Sequence, residues 1–287
     1  MPMDRNRPLR ADLGGNPLAK ANVPSGTPTL DTSKRFGYEW DRYRDLYPHY
    51  EEQFLGWISP IGPEAFEEAR VLDAGCGMGR NCRWAVKYGA REVRGVDYAE
   101  LAVAAAREGL ADLPEVRVER ESLYDLQYAE EFDLCFSIGV IHHLEFPERA
   151  IERLHAALRP GGRLIVWLYG YEGNEPWVHF FRIAHPLLKR LPPALVHVAT
   201  YALSTPIWLG LKLGLHRWLG LGNREYLDVA SRFPFAHLHK IVFDQLLPDI
   251  ANYYKRDEAR ALFDGLEWKG VEVHANRGYS WTVVCER

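Results

Sequence analysis

Apolar residues in the middle of the chain fall into short unbroken runs, with amphipathic stretches between them. Val71-Leu72 opens one run, Glu92–Asp97 contains a second, and Phe132-Asp-Leu-Cys-Phe-Ser137 is a third that ends on a polar residue. Runs of this length read as strands buried on both faces of a parallel sheet. The stretches between them predict helices over Gly79–Tyr88, closed by Gly89, over Tyr98–Glu108, closed by Gly109, and over Pro147–Leu158, ahead of a Pro-Gly pair. Glycine just past the last turn is a common helix stop. Asp257–Phe263, Glu267–His274 and Tyr279–Cys285 then predict helix, strand and strand, with Asn276-Arg-Gly278 as the hairpin turn. Strand and helix alternate, which predicts an α/β fold.

The stretch Val71-Leu-Asp-Ala-Gly-Cys-Gly-Met-Gly-Arg80, followed by Gly95-Val-Asp97, carries the candidate chemistry. It predicts a strand, a glycine turn, a helix start and a second strand ending in a carboxylate, which places a nucleotide-shaped site at the carboxyl ends of parallel strands. Asp97 stands where a ribose diol would be held. A dinucleotide fingerprint is G-x-G-x-x-G; this loop is G-x-G-x-G, with Asp73 two positions before its first glycine. A carboxylate there is a poor neighbour for a pyrophosphate and suits a ligand carrying positive charge.

Asp73-x-Gly75-x-Gly77-x-Gly79 resembles the first motif of the class I S-adenosylmethionine-dependent methyltransferases. Further elements resemble that family in the same order. They are the acidic end of strand two, the Val116–Ser122 segment, the fourth-strand run with Ile138-Gly-Val-Ile-His-His-Leu144 after it, and Leu158-Arg-Pro-Gly-Gly-Arg-Leu-Ile-Val166. The resemblance covers roughly residues 70 to 170. It implies a Rossmann-like, mostly parallel seven-stranded sheet with the last strand antiparallel, helices on both faces, N-terminal lid helices and an inserted helical cap. The implied cofactor is S-adenosyl-L-methionine. By the match, Asp73, Gly75, Cys76, Gly77, Gly79, Asp97, Ser137 and Ile138 would surround it, Tyr98 would flank the adenine, Glu121 would take its amino group and Ser122 its edge.

His142 and His143 follow the fourth strand at the ligand edge, and an imidazole titrating at about 6.5 can take a proton at neutral pH. One of them is the candidate general base for an oxygen or nitrogen acceptor; the alternative is that one caps the next helix and the other packs on the sheet. Tyr169 and Tyr171, after the fifth strand, are candidate acceptor contacts. Tyr38, Trp40 and Tyr43 are candidate lid residues, or else fill a satellite hydrophobic cluster. His237 and His239 lack the companions of a metal site.

Composition narrows the partners. Hydrophobic content of 47% and charged content of 26% are those of a folded protein. A net charge of -4 argues against general nucleic-acid binding. The four cysteines, Cys76, Cys82, Cys135 and Cys285, have no paired metal spacing and two lie in the core pattern, which fits a reducing cytoplasm. Residues 1–34 are aperiodic and are expected to form a flexible arm, 35–175 and 240–287 the core, and 176–239 the cap.

Within the insertion, Pro176–Asn223 contains no Asp or Glu but five cations, Arg182, Lys189, Arg190, Lys212 and Arg217. Its prolines at 186, 192, 193 and 206 predict short helical pieces, none near the roughly 20 apolar residues of a membrane span. Three readings stand: a cap over the acceptor, a basic segment lying peripherally on anionic lipid, and a homodimer interface. The leading functional expectation is methyl transfer to a small aromatic or lipophilic metabolite. Other chemistry on the same cofactor and a non-catalytic cofactor-binding protein are the alternatives.

Overall fold

The computed structural model describes residues 49–188, 191, 193–219, 227–228, 230–246 and 250–287. Tyr38, Trp40, Tyr43 and the arm expected over 1–34 lie outside the described residues.

Seven strands form one sheet in the order β3-β2-β1-β4-β5-β7-β6. They are β1 (Arg70–Ala74), β2 (Glu92–Asp97), β3 (Val116–Arg120), β4 (Phe132–Ile138), β5 (Leu158–Tyr169), β6 (Gly270–Asn276) and β7 (Ser280–Glu286). The first five pair in parallel, and β7 runs antiparallel to both β5 and β6. Strand order reverses between β1 and β4, so ligands are expected outside the carboxyl ends of those two strands.

The helices follow from where the small and apolar residues fall. α1 (His49–Ile58), α2 (Arg80–Lys87) and α3 (Glu100–Gly109) cover one face. There Phe54, Ile58, Cys82, Ala85, Val103 and Ala106 pack on Val71, Val93 and Phe136. α4 (Pro147–Ala157) and α9 (Arg256–Ala261) belong to the other face, where Ala150, Ile151 and Leu154 present one helical stripe to Leu72, Cys135 and Val166. α2 ends as its glycine predicts, with Gly89 at φ 92 and its N–H on the Val86 carbonyl at 2.9 Å. All four cysteines are buried thiols.

Two expectations need correction. The Pro160-Gly-Gly162 turn is absorbed into β5: Phe132 pairs with Leu158 and Leu134 with Arg163, so Arg159–Gly162 bulge out while the ladder continues. The C-terminal Arg287 holds the bulge by exchanging bonds with Gly161 and Gly162. The second correction lies in the insertion, whose described helices are α5 (Glu175–Leu188), α6 (Pro193–Lys212), α7 (His216–Leu219) and α8 (Phe235–Leu246). Pro206 does not break α6 but sits inside it. A proline costs a helix one N–H bond, and Pro206 is exposed, so the carbonyl it frees stands where water can reach. The result is a helix, Ala194–Lys212, long and apolar enough to cross a membrane by length and composition. α8 packs on α6 and runs through the boundary expected at 239 and 240.

Candidate functional site

The glycine loop between β1 and α2 is built by three left-handed residues, Gly75, Gly77 and Gly79. Gly75 has no alternative: a Cβ there would stand 2.3 Å from a Val140 methyl. Its N–H and that of Cys76 both donate to the Val96 carbonyl, at 2.8 and 2.9 Å, tying the loop to β2. Asp97 completes the tie. One carboxylate oxygen accepts from the Gly77 N–H at 2.9 Å and the other from the Ala99 N–H at 2.8 Å. Each oxygen keeps a lone pair for a ligand. Burial raises the Asp97 pKa, and those backbone donors oppose the shift.

Asp73 stands apart from this cradle. It is sealed beneath the loop, 1% exposed, and accepts from the Cys82 thiol at 3.2 Å. Burial, with Asp97 nearby, pushes its pKa up to about 7. Asp73 is absent from the cavity wall. Tyr98, Glu121 and Ser122 also lie outside that wall, along the edges of β2 and β3. Tyr98 is 38% exposed, with the Arg120 guanidinium 5.9 Å over its ring. Glu121 is anchored by its N–H on the Asp97 carbonyl at 3.0 Å, and Ser122 accepts from the Tyr124 N–H at 3.2 Å. Ser137 is fully buried and donates to the Ala74 carbonyl at 2.7 Å, so it locks β4 to β1.

A cavity of about 340 Å³ opens at the switch point. Gly75, Cys76, Gly77, Ile138 and Gly139 form its floor, and His143, Trp167 and Tyr169 one side. It then continues beneath α6 and α8. A Cβ at Gly139 would meet no atom within 4 Å, so this glycine keeps open space beside the loop.

The two histidines are in different places. His142 is fully buried, stacked on Tyr169 with ring centroids 3.8 Å apart, and among the described residues neither ring nitrogen has a partner in good hydrogen-bond geometry. Desolvation, then the neighbouring His143, drives its pKa well below the usual value. His143 lines the cavity, and its Nδ1 lies 2.7 Å from the Ile250 carbonyl oxygen. A carbonyl only accepts, so Nδ1 carries the proton and Nε2 of the neutral ring is the basic nitrogen. Tyr169 reaches the cavity and its hydroxyl accepts from Gln245 Nε2 at 2.9 Å. Tyr171 is not in the wall; it packs at the base of the cap, with Lys255 over its ring.

Several wall residues carry no signal in the sequence motifs. Tyr50 and Trp57 come from α1, with the Arg80 guanidinium 4.2 Å over the first ring and 5.7 Å over the second. Trp167 is fixed by its Nε1–H on Ser280 Oγ at 3.1 Å. Lys240 and Gln245 come from α8 and Arg277 from the β6–β7 turn. Arg80, Lys240 and Arg277 give the cavity three cations, and none of its described lining residues is acidic. Asp97 also lies outside this wall, tied to the back of the loop through the Gly77 N–H; a glycine-floored cradle with that carboxylate beside it and cations further along the cavity fits an amino-acid nucleoside. Among the described residues no His, Cys, Asp and Glu group could hold a metal ion.

Comparison with known proteins agrees with this geometry. Residues 72–166 match the methyltransferase domain family model. The tRNA U34 carboxymethyltransferase of Vibrio cholerae is 30% identical over 183 residues, which are 63% of this chain and 50% of that one. The enzyme of the same name from Pseudoalteromonas translucida is 30% identical over 212 residues, 70% of this chain and 54% of the relative. The chain spans about half the length of these curated relatives. Among solved structures, the DhpI–SAH complex superposes with a TM-score of 0.55 at 13% identity, over 90% of this chain and 96% of that one, a likeness of fold. With the loop, the strand order and the matched model in agreement, residues 72–166 form a methyltransferase domain of the class I, S-adenosylmethionine-dependent type.

Proposed function

We propose that this protein moves a methyl group to an oxygen or nitrogen of a small lipophilic acceptor held between the glycine loop and the helical cap. The observation that carries the reading is His143, a cavity-lining imidazole held in one tautomer by its Nδ1 contact with the Ile250 carbonyl oxygen at 2.7 Å.

S-adenosylmethionine, when bound, supplies a methyl carbon made electrophilic by its sulfonium. The chain's own residues orient, exclude water and move one proton. Asp97, tied to the loop through Gly77, would hold the ribose, and Glu121, beyond the described wall at the end of β3, the adenine; the backbone of Gly75–Gly77 would take the middle of the cofactor and Arg80 with Asn81 its carboxylate. Trp57, Trp167 and Tyr169 wall the reaction space with rings and keep water out. His143 Nε2 takes the proton that leaves the acceptor as the new bond to carbon forms. His142 takes no part in that transfer; it supports Tyr169 from below.

A second reading has one specific observation behind it. Curated relatives are named as carboxymethyltransferases of tRNA, and Arg80, Lys240 and Arg277 in the described wall would suit a donor whose transferred group bears a carboxylate. The net charge of -4 weighs against a polynucleotide acceptor.

The test is a calorimetric titration with S-adenosylmethionine, S-adenosylhomocysteine and NAD, followed by acceptor screening with a methyl-labelled cofactor. Binding of the first two and not of NAD supports the reading. NAD binding alone, or a preference for a carboxylated donor, would replace it.

A further inference from the structure

α6 has two apolar faces. The inner one packs on α8 through buried Val196, Thr200, Ser204 and Leu211. Together with α8 it builds an arm of the cavity lined mainly by Leu203, Ile207, Leu211, Phe233, Leu238 and Ile241, with His237 and Lys240 on the same helix as the last two. The outer face is exposed and carries Leu195, Val198, Leu209 and Leu213, at 53, 64, 48 and 73% exposure, at whole-turn spacings that keep them on one side of the helix. Trp218, 88% exposed, follows just beyond. A stripe of that kind is unusual on a monomer's surface and marks a contact.

Two observations decide what covers it. The first is charge: the sequence segment 176–223 carries five cations and no acidic residue, which complements an anionic surface. Lys212 stands at the end of the stripe, donating to the Ser231 carbonyl at 2.8 Å, and Arg217 beyond it shares Asp228 at 3.2 Å. The second is continuity: one helix separates the stripe from a hydrocarbon-lined arm of the cavity. A membrane-spanning role would pull α6 away from α8 and open that arm, so the helix fits the plane of the interface.

We propose that the cap handles lipid: the outer face of α6 lies on an anionic bilayer, and the arm beneath it seats the hydrocarbon chain of an acceptor drawn from that bilayer. This rests on the methyl-transfer reading of the cavity and names its substrate class, a chain-bearing amphiphile whose reactive head reaches His143.

Two experiments on the full chain test it. The first is flotation with vesicles of phosphatidylcholine, with and without phosphatidylglycerol, comparing the wild type with the exposed double variant Val198→Glu, Leu213→Glu. The wild type should float with the anionic vesicles and be released by salt, and the variant should stay behind at an unchanged melting temperature. No flotation, resistance to carbonate extraction, or a dimer that the variant dissolves would each overturn the surface assignment. The second is calorimetry with 1-dodecanol against 1-butanol, on the wild type and on Leu203→Trp, which narrows the arm. Dodecanol should bind and butanol should not, and the variant should lose about tenfold in dodecanol affinity while S-adenosylmethionine affinity holds. Cofactor binding without dodecanol binding defeats the lipid inference alone; loss of cofactor binding in the wild type defeats the reading beneath it.

Discussion

His143 Nδ1 and the Ile250 carbonyl oxygen are 2.7 Å apart, across 107 residues of sequence. The bond fixes the tautomer and the ring plane together, as second partners of working histidines do. Replacing His143 by Gln should lower turnover by about 10²- to 10⁴-fold, the usual share of a general base. Cofactor affinity by calorimetry should stay within a factor of about two to three, and the acid limb of the pH–rate profile should vanish. An unchanged rate with the true acceptor would remove His143 from the mechanism.

His142 should answer differently. Among the described residues its two buried nitrogens have no partner in good hydrogen-bond geometry, and its ring lies on Tyr169. His142→Phe keeps the stack and removes the unpaired polar atoms, so activity should survive. The depressed pKa means that the folded protein resists protonating this group. The stability it contributes is present above the unfolded value of about 6.5 and is lost as pH falls below it. The advantage of the Phe variant in urea melts should therefore grow toward acid. A constant difference across pH would show that His142 does not titrate as its burial implies.

Asp73 gives the opposite slope. Its folded pKa of about 7 lies above the unfolded carboxylate value. The stability tied to it is complete below about pH 4 and is lost as pH rises through about 7, on the order of 4 kcal/mol. Asp73→Asn, which cannot ionise, should gain on the wild type between about pH 4 and about pH 7 and hold that advantage above it. Parallel stability curves for the two proteins would place the buried charge elsewhere.

Much of the site was legible because its cofactor half is contiguous. The motif Asp73–Gly79, Asp97 and the His142-His143 pair each sit at or soon after the carboxyl end of a strand, so a predicted strand order brings them to one edge. The other half has no local signature. Arg277 enters only because β7 runs antiparallel to β5 and pairs Ser280 with Tyr169, which carries the preceding turn to the carboxyl edge of the parallel strands. That much follows from an antiparallel last strand and could have been drawn from it. Tyr50, Trp57, Lys240 and Gln245 depend on how α1 and α8 fold over the sheet, which no spacing encodes. The cap was misread for a local reason: proline propensity predicted breaks, and packing of α6 on α8 held one helix through Pro206.

Asp97 separates the two halves of the loop's chemistry. Its carboxylate serves Gly77 and Ala99 before any ligand arrives. Asp97→Ala removes both backbone bonds and the ribose contact, and should abolish measurable cofactor binding. Asp97→Asn keeps one acceptor and should weaken binding by about 10- to 100-fold, the worth of one charge-assisted bond. Equal affinities for wild type and the Ala variant would mean that the ribose is held elsewhere.

Gln245 couples the cap to the sheet. It donates from Nε2 to the Tyr169 hydroxyl at 2.9 Å and accepts from the Tyr253 hydroxyl at 2.7 Å, so one α8 side chain joins the end of β5 to the segment before α9. Gln245→Leu keeps the bulk and leaves both hydroxyls without that partner, at a cost of about 1–3 kcal/mol. That cost falls on the cap, whose apolar contacts form two small clusters of their own rather than part of the sheet's core. Hydrogen exchange should therefore speed up in α6 and α8 while the β1, β4 and β5 amides keep their protection. Acceptor KM should rise with little change in cofactor affinity, because Gly75–Gly79 and Asp97 do not depend on the cap. Uniform loss of protection across sheet and cap would show instead that the two unfold as one unit.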